Sequence, residues 1–383
     1  MAPWRWEALY NRAQPLALAF TRAGYRVVYI QPSERAHFLP RWAPRWLRRV
    51  QRDSRIRLER GPHPELTILE VRSRRGRGAV PLRADFSLAA QRALGRTLAE
   101  LLDGEKAILL SSRPSLHSVF ELMPWARIAL DLEDPWLDFD WGRHPYAFIR
   151  ITQAFSLATH IFANGSAIAE EYSARMNREV RSVPNGADLK IIDSHGGEHE
   201  TPVAMTEGCG KYRISFIGKI NERIDFSLLG EALPEFPEID FFFVGPAVIP
   251  PEDNGSWRAL LAAPNVFHVG RVEYDQVPAF LSHSDALLLP YSRTASNMLF
   301  PAKMLEYLVS QKPILTSVFS SELQPVKPVL NLYSSADELA EAIRRLIDRE
   351  MTLTDGERAL CAAFLETSTW DRRAQDLLDW LVE

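Results

Sequence analysis

Short apolar runs alternate with amphipathic stretches along most of the 383 residues. In the first half, Val27–Ile30, Thr67–Val71, Ala107–Leu110, Arg127–Asp131 and His160–Ala163 are apolar runs of strand length. Between them, Ala13–Ala23, Phe86–Leu102 and Ala167–Arg175 carry apolar residues at the three- and four-residue spacing of a helix face. The second half repeats the pattern, with strands predicted at Arg213–Ile217, Asp240–Val244, Val266–Val269, Ala286–Pro290 and Pro313–Thr316. Helices are predicted between and after them at Phe226–Ala232, Val277–Ser282, Ala302–Ser310, Ala336–Ile347, Asp355–Leu365 and Thr369–Leu381. Such alternation predicts an α/β protein with parallel, doubly wound sheets. One stretch, 184–212, lacks periodicity and is rich in turn formers. It divides the chain into a Rossmann-like domain at 1–190, a linker at 191–211, a second Rossmann-like domain at 212–365, and a C-terminal helix at 366–383 expected to pack back toward the first domain. Two such domains would face each other across a cleft at the carboxyl ends of their strands, where open α/β sheets bind ligands.

Composition changes this picture little: 46% hydrophobic and 25% charged residues are ordinary for a globular protein. Charge changes it more. Residues 1–83 hold eighteen Arg and no Lys against six acids, a formal +12 in a chain whose total is -4. An excess of this sign suits an anionic acceptor, an anionic membrane or nucleic acid, and equally a solvated Arg-rich surface. Within it, Arg41–Arg52 mixes aromatics with cations, so a helix from Pro44 would group Trp46, Leu47 and Val50. That helix would either rest peripherally on a membrane or pack on the domain surface. No nucleic-acid-binding motif accompanies the arginines. Cys209 and Cys361 form neither a metal spacing nor a disulfide framework, and the His residues pair with no ligand set. No run is long enough to span a bilayer, and the N-terminus lacks a signal peptide's apolar core. The expectation is a cytoplasmic protein, touching the inner membrane face at most.

Two stretches carry candidate chemistry. Leu287–Leu308 is a strand, a polar loop and a helix opened by Pro301. A helix start offers free backbone N–H groups and a positive dipole end, which suits an anion. Lys303 in that first turn is unfavourable for the helix itself and would be relieved by a phosphate. Glu306, one turn later, has two oxygens that can accept from the vicinal hydroxyls of a ribose. The other stretch, Ile214–Asp225, is a strand ending in Gly218, followed by Lys219 and Arg223. Glycine permits close backbone approach, and the two cations suit a pyrophosphate. Each pairing alone is also what an ordinary surface would show. Asp131, Glu133 and Asp134 form an acidic turn after a strand, read as a solvated turn, as a metal-binding acidic motif like that of single-domain GT-A transferases, or, the preferred reading, as facing the cleft through Asp134.

In order and spacing, Phe216-Ile-Gly-Lys219…Arg223, Phe243-Val-Gly-Pro246, Asn265–Gly270, Ser284–Tyr291, Phe300–Leu308 and Gln311–Thr316 resemble the donor domain of retaining GT-B glycosyltransferases. This is the broad family that includes glycogen synthases and bacterial mannosyltransferases. The stretch is most similar to bacterial transferases of cell-surface polysaccharide and teichuronic acid synthesis. Asn185–Asp188, Phe162–Ser166 and Leu130–Asp134 extend the resemblance into the first half. It implies a metal-independent hexosyltransferase with no cofactor, its substrates a nucleotide sugar, UDP-linked, and a saccharide or lipid-linked acceptor. It further implies Lys219 and Arg223 on the pyrophosphate, Glu306 on the ribose and Lys303 near phosphate or sugar. Asp134 faces the reaction, and Gly218, Gly245 and Pro301 line the donor site. The family carries two Glu eight residues apart; here the first falls on Met298, so that sugar contact is either lost or moved to Ser296 or Asn297. The family also opens with a strand that this sequence does not show before Asn11-Arg12-Ala13. A GT-B epimerase of UDP-N-acetylhexosamines and a degenerate partner subunit are the alternative readings.

Overall fold

The computed structural model describes residues 6, 12–33, 56–72, 88–113, 119–137, 145–188, 199–292 and 300–382. The chain forms two compact units, Met1–Pro184 with Arg373–Glu383, and Asn185–Arg372. The Arg41–Arg52 segment lies outside the described residues. No helix among those described is long and apolar enough to cross a membrane.

The first unit contains β1 (Val27–Ser33), β2 (Ile56–Arg60), β3 (Leu66–Arg72), β4 (Ile108–Ser111), β5 (Arg127–Leu132), β6 (His160–Ala163) and β7 (Arg181–Ser182). They form two sheets, of order β1-β3-β2 and β4-β5-β6-β7. The second is parallel throughout, whereas β2 runs antiparallel to β3, against the expectation of parallel pairing. The apolar pattern does not mark β2, because Ile-Arg-Leu-Glu-Arg is mostly charged and Leu58 is exposed. Only residues 61–65 separate β2 from β3, too few for the crossover that parallel neighbours need.

Polar groups are buried where β5 ends. Arg12, just before the helix Ala13–Arg22, donates through Nε to Asp131 Oδ2 at 2.8 Å, with the two side chains only 4% and 1% exposed. The neighbouring Glu133 carboxyl is pushed up to about 8, first by burial and then by Asp131, against the pull of Arg12. Elsewhere in this unit, Trp380 of the helix Trp370–Val382 meets Phe162 edge-on at 4.7 Å and lies under the Arg181 guanidinium at 4.1 Å.

The second unit holds β8 (Tyr212–Ile217), β9 (Ile239–Val244), β10 (Val266–Gly270), β11 (Ala286–Leu289), β12 (Ile314–Thr316) and β13 (Leu330–Leu332). All are parallel, in the order β10-β9-β8-β11-β12-β13. Numbered within the unit this is 3-2-1-4-5-6, the dinucleotide-binding order, whose direction reverses between its first and fourth strands. The central runs are mostly apolar because both faces are covered: every residue of β9 is buried, including Phe241, Phe242 and Phe243. Residues 199–211, within the segment expected to be a linker, pack in this unit. Met205 is fully buried, and the Gly210 N–H donates to Asp240 Oδ2 at 2.8 Å.

Candidate functional site

The reversal of strand order places a crevice between β8 and β11. The two strands pair only at Ala286–Ile214 and Leu287–Ser215 and then diverge. Tyr307 closes the gap below the surface: its fully buried hydroxyl accepts from the Ile217 N–H at 2.9 Å and donates to the Leu288 carbonyl at 3.3 Å. Burial holds this phenol well above its ordinary range, so it stays a neutral bridge. Tyr307 belongs to the helix Ala302–Val309, which also carries Lys303 and Glu306. One buried aromatic therefore fixes the candidate helix in the crevice.

Three strand ends beside it finish in glycines with positive φ: Gly218 (147°), Gly245 (140°) and Gly270 (81°). The Gly218 N–H donates to the Val244 carbonyl and the Gly245 N–H to the Gly270 carbonyl, both at 2.7 Å. Lys303 crosses over Gly218, where a Cβ would lie 1.7 Å from Lys303 Cε. Its Nζ reaches the Tyr291 hydroxyl at 3.4 Å and stands 5.9 Å from the Phe216 ring centre. Sequence reasoning chose Gly218 and Lys303 from separate motifs, and the structure puts them in contact.

The loop after β8 carries the other two cations. Ile220 pairs with Ala247, and Ile224 with Tyr291, so the loop is tied to the ends of both β9 and β11. The Ser292 N–H donates to the Arg223 carbonyl at 2.7 Å. Within this frame Lys219 is exposed and Arg223 half-buried. Asp225 caps the following helix, Phe226–Ala232, accepting from the Leu228 N–H at 3.1 Å, which fixes where the loop ends.

Pro301 was expected in the first helical turn; it stands one place earlier, at the cap. Its backbone is extended (ψ 125°), and its carbonyl accepts from the Met304 N–H at 3.0 Å. The preceding Phe300 is buried, and its carbonyl accepts from Asn185 Nδ2 at 3.1 Å. The Asn185–Asp188 turn thus belongs to this site, and Gly186 is required there because a Cβ would lie 2.6 Å from the Trp370 nitrogen.

Glu306 is half-buried, and its Oε1 accepts from the Tyr274 hydroxyl at 3.4 Å. The same hydroxyl lies 3.5 Å from Asp188 Oδ2. Burial pushes the Glu306 carboxyl up to about 7; Asp188 adds to the rise, while Lys303 and the Tyr274 hydroxyl oppose it. Tyr274, on a short turn after β10, escaped sequence reasoning: no spacing motif links it to a helix 32 residues away. Ser296, Asn297 and Met298 lie outside the described residues. Asp134 lies in the first unit, just past β5, where its carbonyl accepts from the Trp136 N–H at 2.8 Å. Among the described residues no group of three or more His, Cys, Asp or Glu is placed to hold a metal ion.

Residues 222–379 match the family model described as Glycosyl transferase-like. TuaH of Bacillus subtilis (strain 168), described as a teichuronic acid biosynthesis glycosyltransferase, is 25% identical over 252 residues, covering 61% of this chain and 61% of TuaH. The match thus spans about three fifths of that relative's length. Among solved structures, the sucrose-phosphate synthase of Thermosynechococcus elongatus is similar at a TM-score of 0.65 and 15% identity, over 96% of this chain and 91% of that one. The UDP-forming α,α-trehalose-phosphate synthase of Burkholderia vietnamiensis gives 0.67 and 15%, over 96% and 97%. Anabaena HepE, solved with UDP and glucose, gives 0.59 and 14%, over 82% and 86%. The chain has the GT-B fold of these proteins, and its residues 222–379 are similar to the Glycosyl transferase-like family.

Proposed function

We propose that the protein transfers a sugar from a UDP-linked donor to a saccharide or lipid-linked saccharide, with retention at the anomeric carbon, in cell-surface polysaccharide synthesis. One observation carries the reading: Lys303 and Glu306 share a helix pinned in the crevice between β8 and β11, with the Lys303 side chain laid over Gly218. The loop bearing Lys219 and Arg223 adjoins it. The acceptor hydroxyl oxygen bonds to the anomeric carbon as the bond from that carbon to the diphosphate oxygen breaks. The hydroxyl proton passes to the departing phosphate, so the protein need supply no separate base. Its work is to stabilise the charge gathering on the diphosphate, through Lys219, Arg223, Lys303 and the N–H groups that open the Ala302–Val309 helix. Glu306 accepts from the ribose hydroxyls. Ser296 or Asn297 holds the donor sugar, and Asp134 faces the reaction as a catalytic residue. The reaction runs on the cytoplasmic side of the membrane, with the basic first 83 residues facing an anionic surface or acceptor.

Calorimetry with UDP tests the site. A charge-assisted hydrogen bond contributes about 1.5–3 kcal/mol, so Arg223→Ala and Glu306→Ala should each weaken binding by roughly 10- to 100-fold. Unchanged affinity in both variants would remove the site assignment. UDP release that depends on added saccharide separates a transferase from an epimerase, which needs no acceptor.

A further inference from the structure

Two groups stand beside Glu306 without touching the donor themselves in the proposed reaction, Tyr274 and Asp188. The Tyr274 hydroxyl lies between Glu306 Oε1 and Asp188 Oδ2, at 3.4 and 3.5 Å. A phenol has one proton and donates to one carboxyl at a time. An ionised carboxylate has room for about four donors, and Tyr274 is the side-chain donor that Glu306 meets among the described residues. A ribose presents two adjacent hydroxyls, the spacing of one carboxylate's two oxygens. Tyr274 is 37% exposed on a turn whose ends are tied by reciprocal Glu273 and Gln276 hydrogen bonds, so its ring is held at the rim of the site.

Resting on the donor-site reading above, we infer that Tyr274 and Asp188 are positioning residues for ribose recognition: they aim the Glu306 carboxyl so that the site takes a ribonucleotide and rejects its 2′-deoxy counterpart. Tyr274 holds Oε1 and leaves Oε2 and the remaining lone pairs toward the diol. A deoxyribose fills one acceptor and strands the other in a desolvated place, which is how a site built for a hydroxyl rejects a ligand lacking it. Asp188 acts through charge, opposing ionisation of Glu306 until a hydroxyl donor compensates. Among the described residues, the charged and titratable groups facing Glu306 are Lys303, Asp188 and Tyr274. Lys303 and the Tyr274 hydroxyl favour its ionised form; burial and Asp188 favour the neutral one.

The test is calorimetry with UDP and 2′-deoxy-UDP from pH 6 to 9 on the wild type, Tyr274→Phe and Asp188→Asn. The wild type should prefer UDP by about tenfold or more, a loss of hydroxyl pairing of about 1.4 kcal/mol. Tyr274→Phe should cut that preference to about threefold or less. The pH profile adds a readout that mere structural damage would not move. Wild-type UDP affinity should fall as pH drops through about 7, where Glu306 takes up a proton. Without the Tyr274 hydroxyl the midpoint should move up, and without the Asp188 charge it should move down; titration of the UDP phosphate is common to all three proteins. An unchanged preference and unchanged midpoints in both variants would overturn the inference, while a Glu306→Ala defect in the same experiment would leave the donor site standing. Should UDP bind no worse to Glu306→Ala than to the wild type, the donor reading falls and the inference with it.

Discussion

Gly245→Ala is expected to destabilise the second unit by about 3 kcal/mol or more, combining overpacking with the strain of a side chain at positive φ. A Cβ at Gly245 would stand 2.0 Å from the Gly218 carbonyl oxygen, so the clash is with backbone at φ 140° and no rotamer relieves it. The two strand ends would have to part, and with them the glycine ladder of 2.7 Å hydrogen bonds beside the crevice. Gly218→Ala provides the contrast. Its new methyl meets Lys303 Cε, the far end of a flexible chain that can swing aside. That variant still carries the strain of φ 147°, but without a backbone clash it should keep more of its stability than Gly245→Ala while losing nucleotide affinity. Denaturant unfolding and UDP calorimetry on both variants separate the cases. Equal stability loss in the two would show that the backbone contact is not what sets Gly245.

Asp131→Ala is expected to cost the first unit about 3–5 kcal/mol, because the Arg12 guanidinium would stay buried without its carboxylate. Replacing both Arg12 and Asp131 by apolar residues of similar volume should recover most of the loss, since desolvation offsets much of a buried pair's attraction. The same cluster sets a pH dependence. Folding raises the Glu133 carboxyl to about 8, so the folded state binds its proton more tightly than the unfolded chain does. The stability this contributes is complete below the ordinary carboxylate range and is lost as the pH rises through about 8. Unfolding midpoints of the first unit should therefore fall as the pH rises from about 5 to 8 and level off above it, and Glu133→Gln should flatten that slope. A wild-type midpoint that holds steady across this range would contradict the buried, proton-holding Glu133.

The second unit is more legible from sequence than the first, for a physical reason. Strands covered on both faces are apolar at nearly every position, and β9, apart from Asp240, and β11 announce themselves. β2, β7 and β13 do not: each is short, carries exposed residues and lies at a sheet edge. The helix Pro145–Leu157 also escapes the pattern, since exposed Phe148 and Ile149 blur its apolar stripe. In the site, residues next to a motif could be found: Gly218, Gly245, Lys303 and Glu306 sit at strand ends or on the helix after one. Tyr274, and the packing of Asp188 against it, could not, because both reach Glu306 through tertiary folding across 32 residues or more. Tyr307 was visible only as one more apolar position of its helix; its bridging hydroxyl needs two strands in place before it has a purpose.

The first unit takes in Arg373–Glu383 from a distant part of the chain, and Trp380 joins that segment to β6 and β7. During synthesis this imposes an order. Residues 1–184 emerge first, yet the face that receives Trp380 stays uncovered until all of Asn185–Arg372 has been made. The second unit is contiguous and can complete itself on the ribosome. A nascent chain halted anywhere before residue 380 would leave Phe162 without the ring that covers it.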